Sequence, residues 1–422
     1  MAPVLKRPLG PEEIAPPIVA TGNYLVRFDR RLSPKDQEKL LHNDMGNGRV
    51  AAASDFQSSK MNMETLVQYS EAVLLDHIGM AVLRGNDTDH TQLSLLRTNP
   101  GVMYMVPEFY VFAYDDEMSR GLSEDDDSGT YEDSLSCTWG VEAVGACACR
   151  YTGQGIKLGI LDTGFDRAHP DFAGRHIKYW SAIGCDARDI CGHGTHCAGT
   201  AAGPRAIANR MRYGVAPDAE LHIYKVLNDS GTGTEGQMLA GVNQAMVDGC
   251  EVISMSLGRH AGQETQSNVI FDALGQAALD EGRLIIAAAG NSSRRDIAYI
   301  APIDFPANSP TIMAVAAVDS RLSLTNFSAA TPVGRTGVDI AGPGAGIFSS
   351  MPMPRRYQRL RGTSMAAPHV AGVACLWAES DPSLRAQRLW GALTSTALSL
   401  PLIDKMDVGA GLVRAPLAKL QA

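Results

Sequence analysis

After Trp139, short apolar runs alternate with longer segments of helical character, and this alternation restricts the possible folds more than any other feature. The runs Ile156–Leu161, Glu220–Leu227, Glu251–Leu257, Leu284–Ala289 and Ile312–Val318 read as strands. His193–Ala202, Glu235–Val247, Asn268–Asp280 and Ser364–Ala378 read as helices. Apolar strands separated by helices predict an α/β fold: a doubly wound parallel sheet covered on both faces. In such sheets functional groups collect beyond the carboxyl ends of the strands.

The texture before Trp139 is different. Residues 1–22 are Pro-rich and read as an irregular tail. From Asn23 to Tyr114 a small α+β domain is expected. Its strands are Tyr24–Phe28, Gly79–Leu83 and, as one strand or a pair, Val102–Ala113; its helices run over Ser33–His42 (with Ser33 as N-cap), part of Met61–Leu75, and Thr91–Leu96. Residues 115–136 hold Asp115-Asp116-Glu117 and Glu124-Asp125-Asp126-Asp127 among Ser and Gly, and read as a solvated acidic linker without the spacing of a calcium loop. The large α/β domain would then occupy residues 137–422.

Composition narrows the function classes. The chain has 422 residues, 45% of them hydrophobic and 20% charged, as expected of a globular protein with at least one large core. Its formal charge of −9 argues against a general nucleic-acid surface. No apolar run is long enough to span a bilayer. Lys6 and Arg7 are followed by Glu12, Glu13, Pro16 and Pro17 rather than an apolar core. No conventional secretory signal is therefore expected, which leaves a cytoplasmic site or export by a non-classical route.

Three stretches carry chemistry. Arg361-Gly362-Thr363-Ser364-Met365-Ala366-Ala367-Pro368-His369 places a serine at the mouth of a small-residue helix, where backbone N–H groups and the helix dipole favour a developing anion. Pro368 is expected in the first turns, where few amides have partners. Leu158-Gly159-Ile160-Leu161-Asp162 is an apolar strand ending in a carboxylate, and Gly192-His193-Gly194-Thr195-His196 sets a histidine at the start of another helix. Singly, such residues are commonly turns or caps. Together, Asp162, His193 and Ser364 supply an orienting carboxylate, a general base and a nucleophile.

That chain order and the three motifs resemble the subtilisin family of serine endopeptidases over roughly residues 137–422. The resemblance implies that Asn291, in Ala288-Ala289-Gly290-Asn291, donates its side-chain amide to the oxyanion. It implies that Ser256, Leu257 and Gly258 line one side of the substrate cleft and Gly231, Thr232 and Gly233 the other. Ala288, Ala289 and Gly290 would help form the primary specificity pocket, whose small residues leave room for a large apolar or aromatic side chain. Arg294 and Arg295 lie near its rim and read as solvated. Residues 23–114 would be an inhibitory, propeptide-like domain, with Tyr114 on the acyl side of a self-processing cut. The expected partners are protein or peptide substrates and the chain's own N-terminal domain as intramolecular inhibitor. A non-catalytic peptide-binding protein on the same scaffold is disfavoured by the intact set of Asp162, His193, Ser364 and Asn291.

No cofactor is required by this chemistry. Asp171 matches a position that ligates structural calcium in many family members, which makes it a weak calcium candidate. Its partner loop, Pro204 to Tyr213, carries three arginines and no carboxylate, a poor cage for a hard dication. Cys191, His193, His196 and Cys197 depart from zinc-binding spacings. By resemblance, Cys197 lies beneath the catalytic histidine. The remaining cysteines are expected to be mostly free thiols: Cys147 and Cys149 are too close to pair, Cys185 and Cys191 could close a small loop, and Cys250 and Cys375 sit in apolar segments.

Overall fold

The computed structural model describes residues 18–45, 49–53, 62–85, 90–114, 130–184, 186–205, 211–262, 266–330 and 337–416. Most of the tail at 1–22, most of the acidic linker at 115–136, Cys185 and residues 206–210 of the arginine loop lie outside the described residues.

The N-terminal elements are β1 (Ala20–Phe28), α1 (Pro34–Met45), β2 (Val50–Ala52), α2 (Met63–Tyr69), β3 (Ala72–Leu75), β4 (Met80–Leu83), α3 (His90–Thr98) and β5 (Val102–Ala113). The strands form a sheet in the order β5-β1-β4-β3-β2. The expected helix within 61–75 ends at Tyr69, and Ala72–Leu75 is a strand instead, paired with β4 and β2. Side chains alternate across this sheet. Val26, Leu74 and Leu83 face Leu41, Met45 and Leu96 of α1 and α3, whereas Leu25, Val73 and Val82 join the apolar core of the remainder of the chain. Both faces of the small sheet are thus buried, one by its own helices and the other by the larger body.

That body begins with α4 (Trp139–Ala143), β6 (Lys157–Asp162), β7 (Lys178–Ser181), α5 (His193–Ala202), β8 (Glu220–Lys225), β9 (Thr232–Thr234), α6 (Glu235–Val247), β10 (Val252–Met255) and β11 (Leu257–Gly258). It continues with α7 (Val269–Asp280), β12 (Leu284–Ala288), β13 (Met313–Val318), β14 (Ile340–Pro343), β15 (Ile347–Ser350), β16 (Tyr357–Leu360), α8 (Thr363–Ser380), α9 (Ala386–Ser395) and α10 (Lys405–Val408). Seven strands pair in parallel in the order β14-β13-β12-β10-β6-β8-β7. Strand order reverses around β6, so Asp162 at its carboxyl end stands at the switch point of the sheet. Residues of β10, β12 and β13 are buried throughout, as strands covered on both faces must be.

Two expected elements are modified. Glu251–Leu257 is not one strand: the chain leaves the sheet at Ser256, and β11 pairs antiparallel with β5. Pro368 is not in the first turn of α8 but well inside it. Lacking an N–H, it leaves the Ser364 carbonyl without its helical donor. That carbonyl accepts instead from Ser256 Oγ at 2.8 Å and Cys197 Sγ at 3.5 Å, which tie α8 to the β10–β11 junction and to α5.

Candidate active site

Four backbone arrivals bring the predicted residues together. Asp162 ends β6, His193 opens α5, Asn291 follows β12, and Ser364 lies in the first turn of α8. Asp162, His193 and Ser364 are all almost wholly buried. Asp162 Oδ1 lies 2.8 Å from His193 Nδ1 and also accepts from the Thr163 amide at 2.7 Å. Burial disfavours charge on His193, but the Asp162 carboxylate outweighs it and holds the imidazole pKa well above its usual value. Cys197 Sγ lies 3.9 Å from the same ring nitrogen, beneath the histidine as the resemblance implied.

His193 Nε2 has no partner among the described residues. The Ser364 hydroxyl is turned instead toward the Ser256 carbonyl at 3.3 Å and the Tyr114 carbonyl at 3.5 Å. The serine–histidine hydrogen bond is therefore unmade in this state, and a side-chain rotation of Ser364 is needed to form it.

The Asn291 amide is oriented by its neighbours. Its Oδ1 accepts from the Thr363 amide at 2.9 Å and from Thr363 Oγ1 at 2.8 Å. Thr363 Oγ1 accepts in turn from the Gly290 amide at 3.1 Å. With Oδ1 doubly engaged, Nδ2 points at the Tyr114 carbonyl, 3.5 Å away. Gly362 closes this corner at φ 150°, and a Cβ there would stand 2.9 Å from Asn291 Nδ2. A side chain at 362 would therefore both strain the backbone and crowd the amide.

The cleft is occupied by the chain itself. Residues 110–113 of β5 run antiparallel to β9 on one side, with Val111 opposite Gly233 and Phe112 opposite Thr232. On the other side Ala113 pairs with Leu257 and Phe112 with Gly258. The Ala113 amide donates to the Gly231 carbonyl at 2.8 Å. Of the expected cleft residues, Gly231, Thr232, Gly233, Leu257 and Gly258 meet this strand, which ends with the Tyr114 carbonyl 3.5 Å from both Ser364 Oγ and Asn291 Nδ2. The Tyr114 side chain enters beside Gly258.

Other expectations come out differently. Arg294 pairs with Asp296, but Arg295 is not solvated: it is largely buried against Asp407 of α10 at 2.7 Å. Cys137 and Cys147 form a disulfide, a pairing not anticipated, while Cys149, Cys191, Cys197, Cys250 and Cys375 are free. Asp171 accepts from the hydroxyls of Tyr213 (2.8 Å) and Tyr357 (2.9 and 2.8 Å) and pairs with Arg356 at 3.4 Å. Arg212 of the loop opposite is buried and donates to the carbonyls of Ala146, Gly214 and Val215. His196 turns Nε2 to the Ile347 and Gln358 carbonyls, so the metal-type trio within 4.8 Å is Asp162, His193 and Cys197 rather than a four-ligand zinc set. Sequence reasoning missed Asp304, which acts on the Tyr114 phenol, and its partner His260; nothing in Ile303-Asp304-Phe305 marks a pocket residue without the pairing of Arg259 with Phe305.

A carboxylate at a strand end, an imidazole and a hydroxyl at two helix starts, and an amide aimed at a strand-bound peptide carbonyl are the groups that a serine-type peptide-cleaving site on a doubly wound sheet requires. Comparison with known proteins gives the family: residues 153–413 match the model of the subtilase family, and the chain belongs to it. It is 36% identical over 267 residues to subtilisin DY of Bacillus licheniformis, which spans 62% of this chain and 90% of that protein. It is 37% identical over 249 residues to thermitase of Thermoactinomyces vulgaris (58% and 82%), and 36% over 287 residues to subtilisin Savinase of Lederbergia lenta (67% and 98%). The protein is a serine endopeptidase. Among the described residues no helix is long and apolar enough to cross a membrane.

Proposed function

We propose that Ser364 is the nucleophile, His193 the general base and acid, Asp162 its orienting carboxylate, and Asn291 with the Ser364 amide the oxyanion hole. Residues up to Tyr114 act as an intramolecular inhibitor that the chain removes from itself. The observation that carries this reading is the placement of one peptide carbonyl, that of Tyr114, 3.5 Å from both Ser364 Oγ and Asn291 Nδ2.

Chemistry at that carbonyl follows from the groups around it. His193 Nε2 takes the hydroxyl proton as Ser364 Oγ bonds to the Tyr114 carbonyl carbon, and the carbonyl electrons pass to the oxygen facing Asn291. Asp162 stabilises the imidazolium that results. The imidazolium then protonates the amine of Asp115 as the peptide bond breaks; water, deprotonated by His193, next bonds to the acyl carbon, and Ser364 Oγ leaves with the proton that the imidazolium returns. Side chains and backbone amides suffice for each step. Calcium is not assigned to Asp171, because two hydroxyls and a guanidinium already satisfy its carboxylate.

N-terminal sequencing of the mature protein made from the full chain tests the proposal. A mature protein beginning at Asp115, and a Ser364→Ala chain that stays uncut, are expected. A start elsewhere overturns the assignment of Tyr114, and processing of the Ser364→Ala chain overturns the assignment of the nucleophile.

A further inference from the structure

Two buried titratable side chains lie outside the acyl-transfer chemistry: Asp304, which acts on the Tyr114 phenol, and His260, which is bonded to Asp304. Asp304 is fixed by its backbone amide, which donates to the Ala289 carbonyl at 2.9 Å. Its Oδ1 accepts from His260 Nδ1 at 3.0 Å and from the Ala261 amide at 3.1 Å. Oδ2 lies against the pocket wall: a Cβ on Gly290 would be 2.3 Å from it. Across the pocket, a Cβ on Gly258 would be 2.2 Å from the Tyr114 hydroxyl oxygen. Both wall glycines are therefore spaces that the phenol and the carboxylate require.

The Tyr114 hydroxyl oxygen is buried, and its hydrogen-bonding neighbour is the Asp304 carboxylate, although the pair stops short of strict bond geometry. Burial, and after it the charge of Asp304, push the phenol pKa well up, so it enters the pocket as a neutral donor. A buried hydroxyl and a buried carboxylate are each costly alone and satisfied by one another.

We propose that Asp304, held by His260 and Ala261, determines specificity by accepting the phenolic hydrogen of a tyrosine on the acyl side of the scissile bond. The inference rests on the reading above that Tyr114 occupies the primary specificity pocket. A phenylalanine there leaves the carboxylate oxygen desolvated and unpaired, and a site built to hydrogen-bond a hydroxyl rejects the analogue lacking it more strongly than an apolar pocket rejects a lost methylene. Burial also raises the Asp304 pKa, which weakens its hold on a lysine or arginine, whereas a phenol is bound by either protonation state. Acidic side chains meet a carboxyl and are excluded.

The test uses peptide anilides that differ only in the acyl-side residue (Tyr, Phe, Lys or Arg), hydrolysed by the enzyme matured from the full chain. Tyrosine is expected to exceed phenylalanine in kcat/KM by about tenfold or more. Asp304→Ala should bring that ratio near one. Tyr114→Phe in the full chain should slow self-processing by a similar factor. A wild-type ratio near one, a lysine or arginine substrate ahead of tyrosine, or a ratio unchanged in Asp304→Ala overturns the proposal. Should Asp304→Ala not fold, cut sites in a denatured protein digested by the wild type decide instead, and no excess of tyrosine over phenylalanine overturns it. Absence of turnover on every anilide together with no labelling by a fluorophosphonate sinks the active-site reading itself; turnover without tyrosine preference sinks only the role of Asp304.

Discussion

Asp162 Oδ1 and His193 Nδ1 lie 2.8 Å apart in a site closed to water, while Nε2 on the far side of the same ring has no partner among the described residues. One ring edge is thus fully committed and the other is free to take a proton.

The first prediction follows from that pair. Only neutral His193 can accept a proton from Ser364, and Asp162 raises the imidazole pKa despite the opposing effect of burial. Activity should therefore fall as the pH is lowered, with the ascending limb of kcat/KM above the usual imidazole value of about 6.5. Asp162→Asn should shift the limb to lower pH and reduce kcat by about 10⁴. A limb at or below 6.5 in the wild type would contradict the pairing.

Thr363 holds the Asn291 amide through two hydrogen bonds, so its hydroxyl should matter to turnover without touching substrate. Loss of an oxyanion donor costs about two to three orders of magnitude in kcat, a figure measured on a subtilisin, and Asn291→Ala should fall in that range. Thr363→Val should cost about tenfold, mainly in kcat. Steady-state kinetics on one anilide distinguishes this from a binding defect, in which KM would rise instead.

The carbonyl of Ser364, orphaned by Pro368, is held by Ser256 and Cys197. Ser256→Ala should destabilise the protein by about 1–3 kcal/mol, and Cys197→Ala by less, since its contact is longer. The two should not add, because they share one acceptor; the double mutant in a denaturant series should depart from additivity by about 0.5 kcal/mol or more. Strict additivity would mean the carbonyl is satisfied in another way.

Asp171 supplies a prediction on metal removal. With Tyr213, Tyr357 and Arg356 on its oxygens, Asp171→Asn should lower stability by about 1–3 kcal/mol, and by the same amount with and without a calcium chelator. A calcium ion at a hundred times its Kd would add about 2.7 kcal/mol to the wild type alone. Thermal melts of both proteins with and without chelator therefore distinguish the two cases: a wild-type loss on chelation that Asp171→Asn abolishes would place an ion there.

The sequence made the sheet and its chemistry legible because both are written locally. Apolar runs between helices mark buried parallel strands, and the motifs around Asp162, His193, Asn291 and Ser364 keep glycines or small residues where backbone must approach closely. What was not legible depends on partners distant in the chain. Ala72–Leu75 is apolar enough for helix or strand, and only pairing with β4 decides between them. The break at Ser256 requires β5 alongside. Cys137 finds Cys147 because α4 folds back between them. Asp304 becomes a pocket residue only when its neighbour Phe305 pairs with Arg259.

Residues 110–113 are bonded along both edges, to β9 and to β11, while the body of the same strand belongs to a separate five-stranded layer. Severing the chain after Tyr114 leaves all of those bonds in place. If the chain is cut there, scission and opening of the groove are distinct events: the new carboxyl end stays paired to β9 and β11 until an entire layer lifts away.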